Sequence, residues 1–150
     1  MKRYFLTVFI CVMATAVFAG SHGKVTYQDH IRPLMESQCF SCHGDHAPSL
    51  EEFDADQERY EKRNLGPRMT TYEETKIFVT GEEAGAIMRR LDDGSNTADG
   101  NPGNMHGYLG GTEEARQQNL SVFKEWVGHW TLKRSNELTD EDMQKFSIAE

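Results

Sequence analysis

Apolar residues in this chain recur every three or four positions, and no stretch shows the strict alternation of a half-buried strand. Tyr27, Ile31, Leu34 and Gln38 lie at helical spacing behind Thr26, with Asp29 placed to complete a capping box. That stripe predicts a first helix running into Cys39, bent early by Pro33. Ser49 and Glu52 form a second capping box ahead of LEEFDADQERYEKRN, a charged helix whose apolar residues are Leu50, Phe53 and Tyr60, ended by Gly66-Pro67. A short helix over Thr71–Val79 is closed by Gly81. EEAGAIMRRLDDG then places Ala84, Ile87, Met88 and Leu91 on one face and stops at Gly94. Thr112 caps EEARQQNLSVFKEWVGHW, in which Ala115, Asn119, Val122, Phe123, Trp126, Val127 and Trp130 share a broad face. A short acidic helix over Thr139–Phe146 finishes the chain. The pattern is all-α, with no internal repeat.

Between the last two apolar helices lies a different kind of segment. Gly94 to Gly111 carries six glycines and one proline and has no periodicity. A loop this long in a small domain is commonly a functional one.

The N-terminus changes the picture of where the chain works. Lys2 and Arg3 precede an uncharged apolar run from Tyr4 to Ala19, and Val17-Phe18-Ala19 fits a signal-peptidase site. Residues 1–19 therefore read as a secretory signal peptide, and 20–150 as a single domain with a C-terminal extension over 130–150. The run is short of the roughly 20 residues of a membrane span. Phe9-Ile10 ahead of Cys11 does not suit a lipoprotein site. Cleavage implies an exported protein, periplasmic in a bacterium, with no membrane attachment. The formal charge of −8 becomes more negative still when Lys2 and Arg3 leave. So acidic a chain is poorly suited to nucleic acid or an anionic membrane and is better matched to a basic partner.

After cleavage the cysteines that remain are Cys39 and Cys42, both within Cys39-Phe40-Ser41-Cys42-His43. Three chemistries use such a cluster. A thioredoxin-like redox pair sits at a helix start after a strand, and here a helix precedes it. Zinc would need four ligands, and Cys39, Cys42, His43 and His46 are crowded into one short stretch. Covalent haem c needs two thiols for thioether bonds and an adjacent histidine for the iron, in the order Cys-x-x-Cys-His. Attachment follows export, so the motif and the leader agree. One such motif means one haem c, fixed by Cys39 and Cys42, with His43 as proximal ligand. A flat apolar cofactor also explains how a chain with few large hydrophobes folds. Phe40, Ile87, Leu91, Val122, Phe123, Trp126 and Trp130 are the expected wall.

The opposite iron position takes a methionine, a histidine or nothing. Met35 is too near the attachment site, Met88 lies on a core face and Met143 in a polar tail. Met105 sits in the glycine-rich loop, where small residues let the backbone pass near a porphyrin face, and is the preferred distal ligand. His106 and Met69 are the alternatives. His22, His30, His46 and His129 read as surface histidines. Arg68, Tyr108, Trp126 and Trp130 are candidates to meet the haem propionates, each with an ordinary packing role as the simpler explanation.

The chain resembles the class I cytochrome c family. The matching pieces are the first helix ending in CFSCHG, the loop with PGNM and the last long helix NLSVFKEWVGHW. YQDHIRPLMESQCFSCHG is also similar to the opening of bacterial periplasmic cytochrome domains, and GPRM and MRRLDDG to bacterial single-haem cytochromes. The likeness covers roughly residues 25–46 and 84–130. The middle is longer and more charged than in the smallest members, and Met105 is followed by His106, with no Met-Pro pair. The resemblance implies a helical fold around one covalent haem, with first and last helices packed together. It also implies electron transfer to redox partner proteins by iron cycling between Fe(II) and Fe(III), held by His43 and Met105. Two other functions remain open on the residues. One is an open-site haem sensor or enzyme binding a small ligand. The other is a haem c subunit of a larger oxidoreductase.

Overall fold

A computed structural model describes residues 24–150. The leader over 1–19 and His22 lie outside the described residues. Eight α-helices occur among the described residues, and no strand: α1 (Arg32–Gln38), α2 (Phe40–His43), α3 (Leu50–Ala55), α4 (Gln57–Glu61), α5 (Tyr72–Thr80), α6 (Ala86–Leu91), α7 (Glu113–Val127) and α8 (Asp140–Gln144). A π-helical turn over Tyr27–Ile31 precedes α1, and 3₁₀ turns occupy His106–Leu109 and Ser135–Glu137.

Local chemistry explains several departures from the pattern. The Thr26 hydroxyl accepts from the Asp29 amide at 3.2 Å, but the Thr26 amide donates to His30 Nδ1 instead of to Asp29, so only half of the expected capping box forms. The first turn then widens, with the Ile31 amide bonding the Thr26 carbonyl at 3.2 Å. Pro33 falls in the first turn of α1, where its missing N–H is no loss. The single helix expected after Ser49 is two, because Asp56 leaves helical geometry (φ −153°, ψ 59°) and its side chain caps the Arg59 amide. The helix through Ile87 starts only at Ala86, after a turn ending in Gly85. The last long helix stops at Val127, since Gly128 takes φ 77°. Trp130 therefore leaves the face on which its spacing placed it. The capping boxes at Ser49 and Thr71 and the caps at Thr112 and Thr139 all form.

The core is the seam between the chain's beginning and α7. Tyr27, Ile31 and Met35 meet Leu120, Phe123, Trp126 and Val127, all essentially inaccessible to water. Tyr27 and Trp126 rings lie 6.2 Å apart, and Tyr72 packs edge-on against Tyr27 at 5.8 Å. The C-terminal tail closes this seam. The Ala149 carbonyl accepts from both the Tyr27 amide and Trp126 Nε1, each at 2.8 Å, and the Ser147 amide donates to the Val127 carbonyl at 2.9 Å.

Candidate haem site

One helical turn fixes the cysteine cluster. α1 ends as the Cys39 amide bonds the Met35 carbonyl at 2.7 Å, and the amides of Cys42 and His43 both bond the Cys39 carbonyl at 3.0 Å. Residues three and four apart on a helix share a face, so Cys39, Cys42 and His43 turn the same way. Both thiols are free. Burial, reinforced by neighbouring Cys42, pushes the Cys39 thiol up to about 11. Redox-active Cys-x-x-Cys pairs need the opposite shift. The zinc reading also fails, since no group of three or more His, Cys, Asp or Glu side chains among the described residues could hold a metal ion. His46 Nε2 instead bonds the Ser41 carbonyl at 3.1 Å.

Residues 65–69 lie along α2. The Gly66 amide bonds the Cys42 carbonyl at 3.1 Å, and the Met69 amide bonds the His43 carbonyl at 3.0 Å. That placement brings the Pro67 carbonyl 2.7 Å from His43 Nδ1. Nδ1 is then the protonated nitrogen, and Nε2 is left with its lone pair free, the state a metal ligand requires. Burial lowers the His43 pKa, with Pro67 opposing, so the imidazole is neutral at neutral pH. Gly66 is there for space: a Cβ at this position would stand 2.2 Å from His43 Cε1. In the sequence Gly66-Pro67 is visible only as a helix stop.

The thiols and His43 open onto a cavity of about 510 Å³. Of the expected wall, Ile87, Leu91 and Phe123 line it. Phe40, Val122, Trp126 and Trp130 do not, and the expectation for them is corrected. Trp126 is committed to the seam with Tyr27, and Trp130, beyond the helix end, donates from Nε1 to Asp92 at 2.9 Å. Leu65, Phe53 and Phe78 line the cavity in their place. They come from the charged middle and from α5, where a sparse apolar pattern gave no hint of a shared pocket.

Met105 and Met69 both line the cavity, and so does Met35. His106 does not. The 3₁₀ turn swings its ring into the fold, where Nδ1 lies 3.2 Å from the Leu91 carbonyl and Nε2 3.8 Å from Glu113. Met105 is held from behind, its amide bonding the Arg90 carbonyl at 2.9 Å. The loop's glycine serves this tether as well: a Cβ on Gly103 would stand 2.3 Å from the Arg89 carbonyl oxygen. Its freedom is spent against the end of α6.

The anchor of the whole loop is Asp92, which the sequence did not single out. Fully buried, it accepts from the Gly94 amide (2.9 Å), Asn96 Nδ2 (2.8 Å) and Trp130 Nε1 (2.9 Å). Burial alone would raise the Asp92 carboxyl, but the hydrogen bonds from Trp130, Asn96 and Gly94 outweigh it and hold the pKa below its ordinary value. Of the propionate candidates, Arg68 is paired with Glu74 at 2.6 Å, and Trp126 and Trp130 are bonded within the protein. Tyr108 stands at the cavity mouth together with Arg90.

A helical shell whose cavity presents two thiols and a histidine with one free nitrogen is that of a mono-haem c-type cytochrome. The comparisons agree. The chain matches the PccH cytochrome c family over residues 26–148 and belongs to it. The structure of monoheme cytochrome PccH from Geobacter sulfurreducens is 42% identical, with a TM-score of 0.80, and the match covers 85% of this chain and 100% of that one. No curated protein matches. The protein is thus an electron-transfer cytochrome with one covalently bound haem c. The residues fit that group: unpaired thiols at the Cys-x-x-Cys-His spacing, a neutral histidine and a largely apolar cavity. An electron carrier of this kind works with redox partners. No described helix is long and apolar enough to cross a membrane.

Proposed function

We propose that Cys39 and Cys42 carry the haem as thioethers, that His43 Nε2 and Met105 Sδ hold its iron, and that the protein is exported to carry electrons between redox partners. The observation that carries the ligand assignment is the His43 Nδ1–Pro67 bond, made beside a cavity that Met105 also lines. That bond fixes the tautomer and makes Nε2 more basic. Met69 is tied by its own amide to the His43 carbonyl, which keeps it on the proximal side. His106 is engaged with Leu91 and Glu113. Met105 reaches the cavity from a different segment, tethered to the end of α6 by its amide bond to the Arg90 carbonyl and not to the His43 turn. When bound, haem supplies an iron that gains or loses one electron. The chain's own part is to keep both ligands in place through that change and to exclude water from the cavity.

Expression of residues 1–150 with a cytochrome c maturation system tests this directly. Intact mass should show one haem per chain and loss of residues 1–19, and Cys39→Ala/Cys42→Ala should abolish the adduct. The far-red absorption band of Met-ligated ferric haem should vanish in Met105→Ala and persist in Met69→Ala and His106→Ala. Its survival in Met105→Ala would refute the distal assignment.

A further inference from the structure

The haem cavity opens through a mouth whose charge is one-sided. Exposed carboxylates of Asp54, Glu61 and Glu83 line it, and Arg90 is the lone cation among the lining residues. None of these carboxylates has an ion-pair partner among the described residues, Glu61 accepting only from Gln57 Nε2 at 2.7 Å. Arg59 of α4 lies over the Tyr60 ring and Lys62, just past its end, pairs with Glu58 at 2.6 Å; neither they nor Arg63 line the cavity. At the same mouth stands Tyr108, 65% exposed and the one large hydrophobic side chain left exposed among the described residues. Water-facing tyrosine is unremarkable on a surface at large, but aromatic residues are enriched where proteins meet. A partner that exchanges electrons with a cofactor held in this cavity would approach it where the cavity meets solvent, at this mouth.

Resting on the electron-transfer reading, we infer that the cavity mouth is the docking face for a redox partner that presents lysines or arginines around its own centre, with Asp54, Glu61 and Glu83 steering it and Tyr108 as the apolar contact. Complementary charge raises association rates by about 10- to 1,000-fold and is screened by salt. Tyr108 gives the contact a desolvated point on which the charges can be brought into register.

Two experiments on the haem-loaded protein decide the matter. In the first, tetralysine is titrated into the reduced holoprotein and followed by amide chemical shifts. The shifts should gather at residues 54–61, 83 and 104–108; shifts gathered elsewhere, or none, would overturn the inference. In the second, the reduced protein is oxidised by tris(phenanthroline)cobalt(III) or by ferricyanide. In each case one electron passes from the ferrous haem to the reagent, giving cobalt(II) or ferrocyanide. As ionic strength rises from about 0.01 to 0.1 M, the Debye length falls from about 30 to 10 Å. Over that range the rate with the cationic reagent should fall at least about threefold and that with the anionic reagent should rise. Asp54→Asn/Glu61→Gln/Glu83→Gln should remove most of the cationic reagent's low-salt advantage. The remote triple Glu114→Gln/Glu125→Gln/Glu141→Gln, none of which lines the cavity, should leave it largely intact. Equal effects of the two triples would mean that net charge alone steers, and the docking face would be refuted. Failure of the holoprotein to pass electrons to either reagent would instead strike at the carrier function itself, a result the tetralysine map does not share.

Discussion

Single atoms decide where the His43 ring lies. Gly66 has no Cβ, and this is what lets the His43 ring lie where Pro67 can bond it. Gly66→Ala is expected to displace the ring and to cost about 1–3 kcal/mol, as overpacking generally does. Thermal melting of the holoprotein should show the loss, and the reduction potential should move as the Nδ1 bond weakens. At this scale the sequence was legible where covalent chemistry demands fixed spacing: Cys39, Cys42 and His43 are adjacent in the chain and need no fold to be found. Pro67 and Gly66 lie more than twenty residues away, and their role exists only because a backbone amide–carbonyl pair draws 65–69 against α2. No periodicity encodes such a contact. The histidine next to Met105 shows the reverse case, a plausible ligand by composition that a 3₁₀ turn points inward.

Among the elements, the glycine-rich loop depends on a buried carboxylate as well as on its own glycines. Asp92 joins the end of α6, the loop and Trp130 in one hydrogen-bond group. Asp92→Asn keeps the shape but replaces one acceptor oxygen with an NH2 donor that faces other donors, leaving buried polar groups unsatisfied, and is expected to cost about 1–3 kcal/mol. Acid should act at the same place. The Asp92 carboxyl is held below its ordinary 3.8, and hydrogen bonds from Ser95, led by its hydroxyl and opposed by burial, hold neighbouring Asp93 down to about 2. Groups whose pKa is lower in the folded state stabilise it fully above the unfolded value, and that stabilisation is lost as pH falls through the folded value. On the proposed Met105 ligation, the far-red band of the ferric protein should therefore hold steady from neutrality to about pH 4 and fade below it, with Asp92→Asn fading from a weaker start. Element existence was readable from spacing and caps. Element ends were not, because Asp56, Gly85 and Gly128 each interrupt a run whose apolar pattern continues past them.

For the molecule as a whole, the surprise lies in the last residues. Residues 130–150 look like an acidic appendage in sequence, yet Phe146 and Ile148 pack against the core and the Ala149 carbonyl bonds both sides of the main seam. Truncation after Gln144 should remove about 2–4 kcal/mol through lost hydrogen bonds and apolar cover, seen as a melting point lower by about 10 °C. The packing of first against last helix followed from the family likeness, whereas the tail's part in it rests on a carbonyl that no side-chain pattern reveals. This clasp brings the two ends of the domain to within one hydrogen bond of each other. A short linker could join them, and new ends could be opened at the exposed Ala98–Asp99 step. In such a circular permutant Met105 would emerge from the ribosome ahead of Cys39. Whether it still matures would tell if the order of synthesis, rather than the finished shape, governs how the cofactor is taken up.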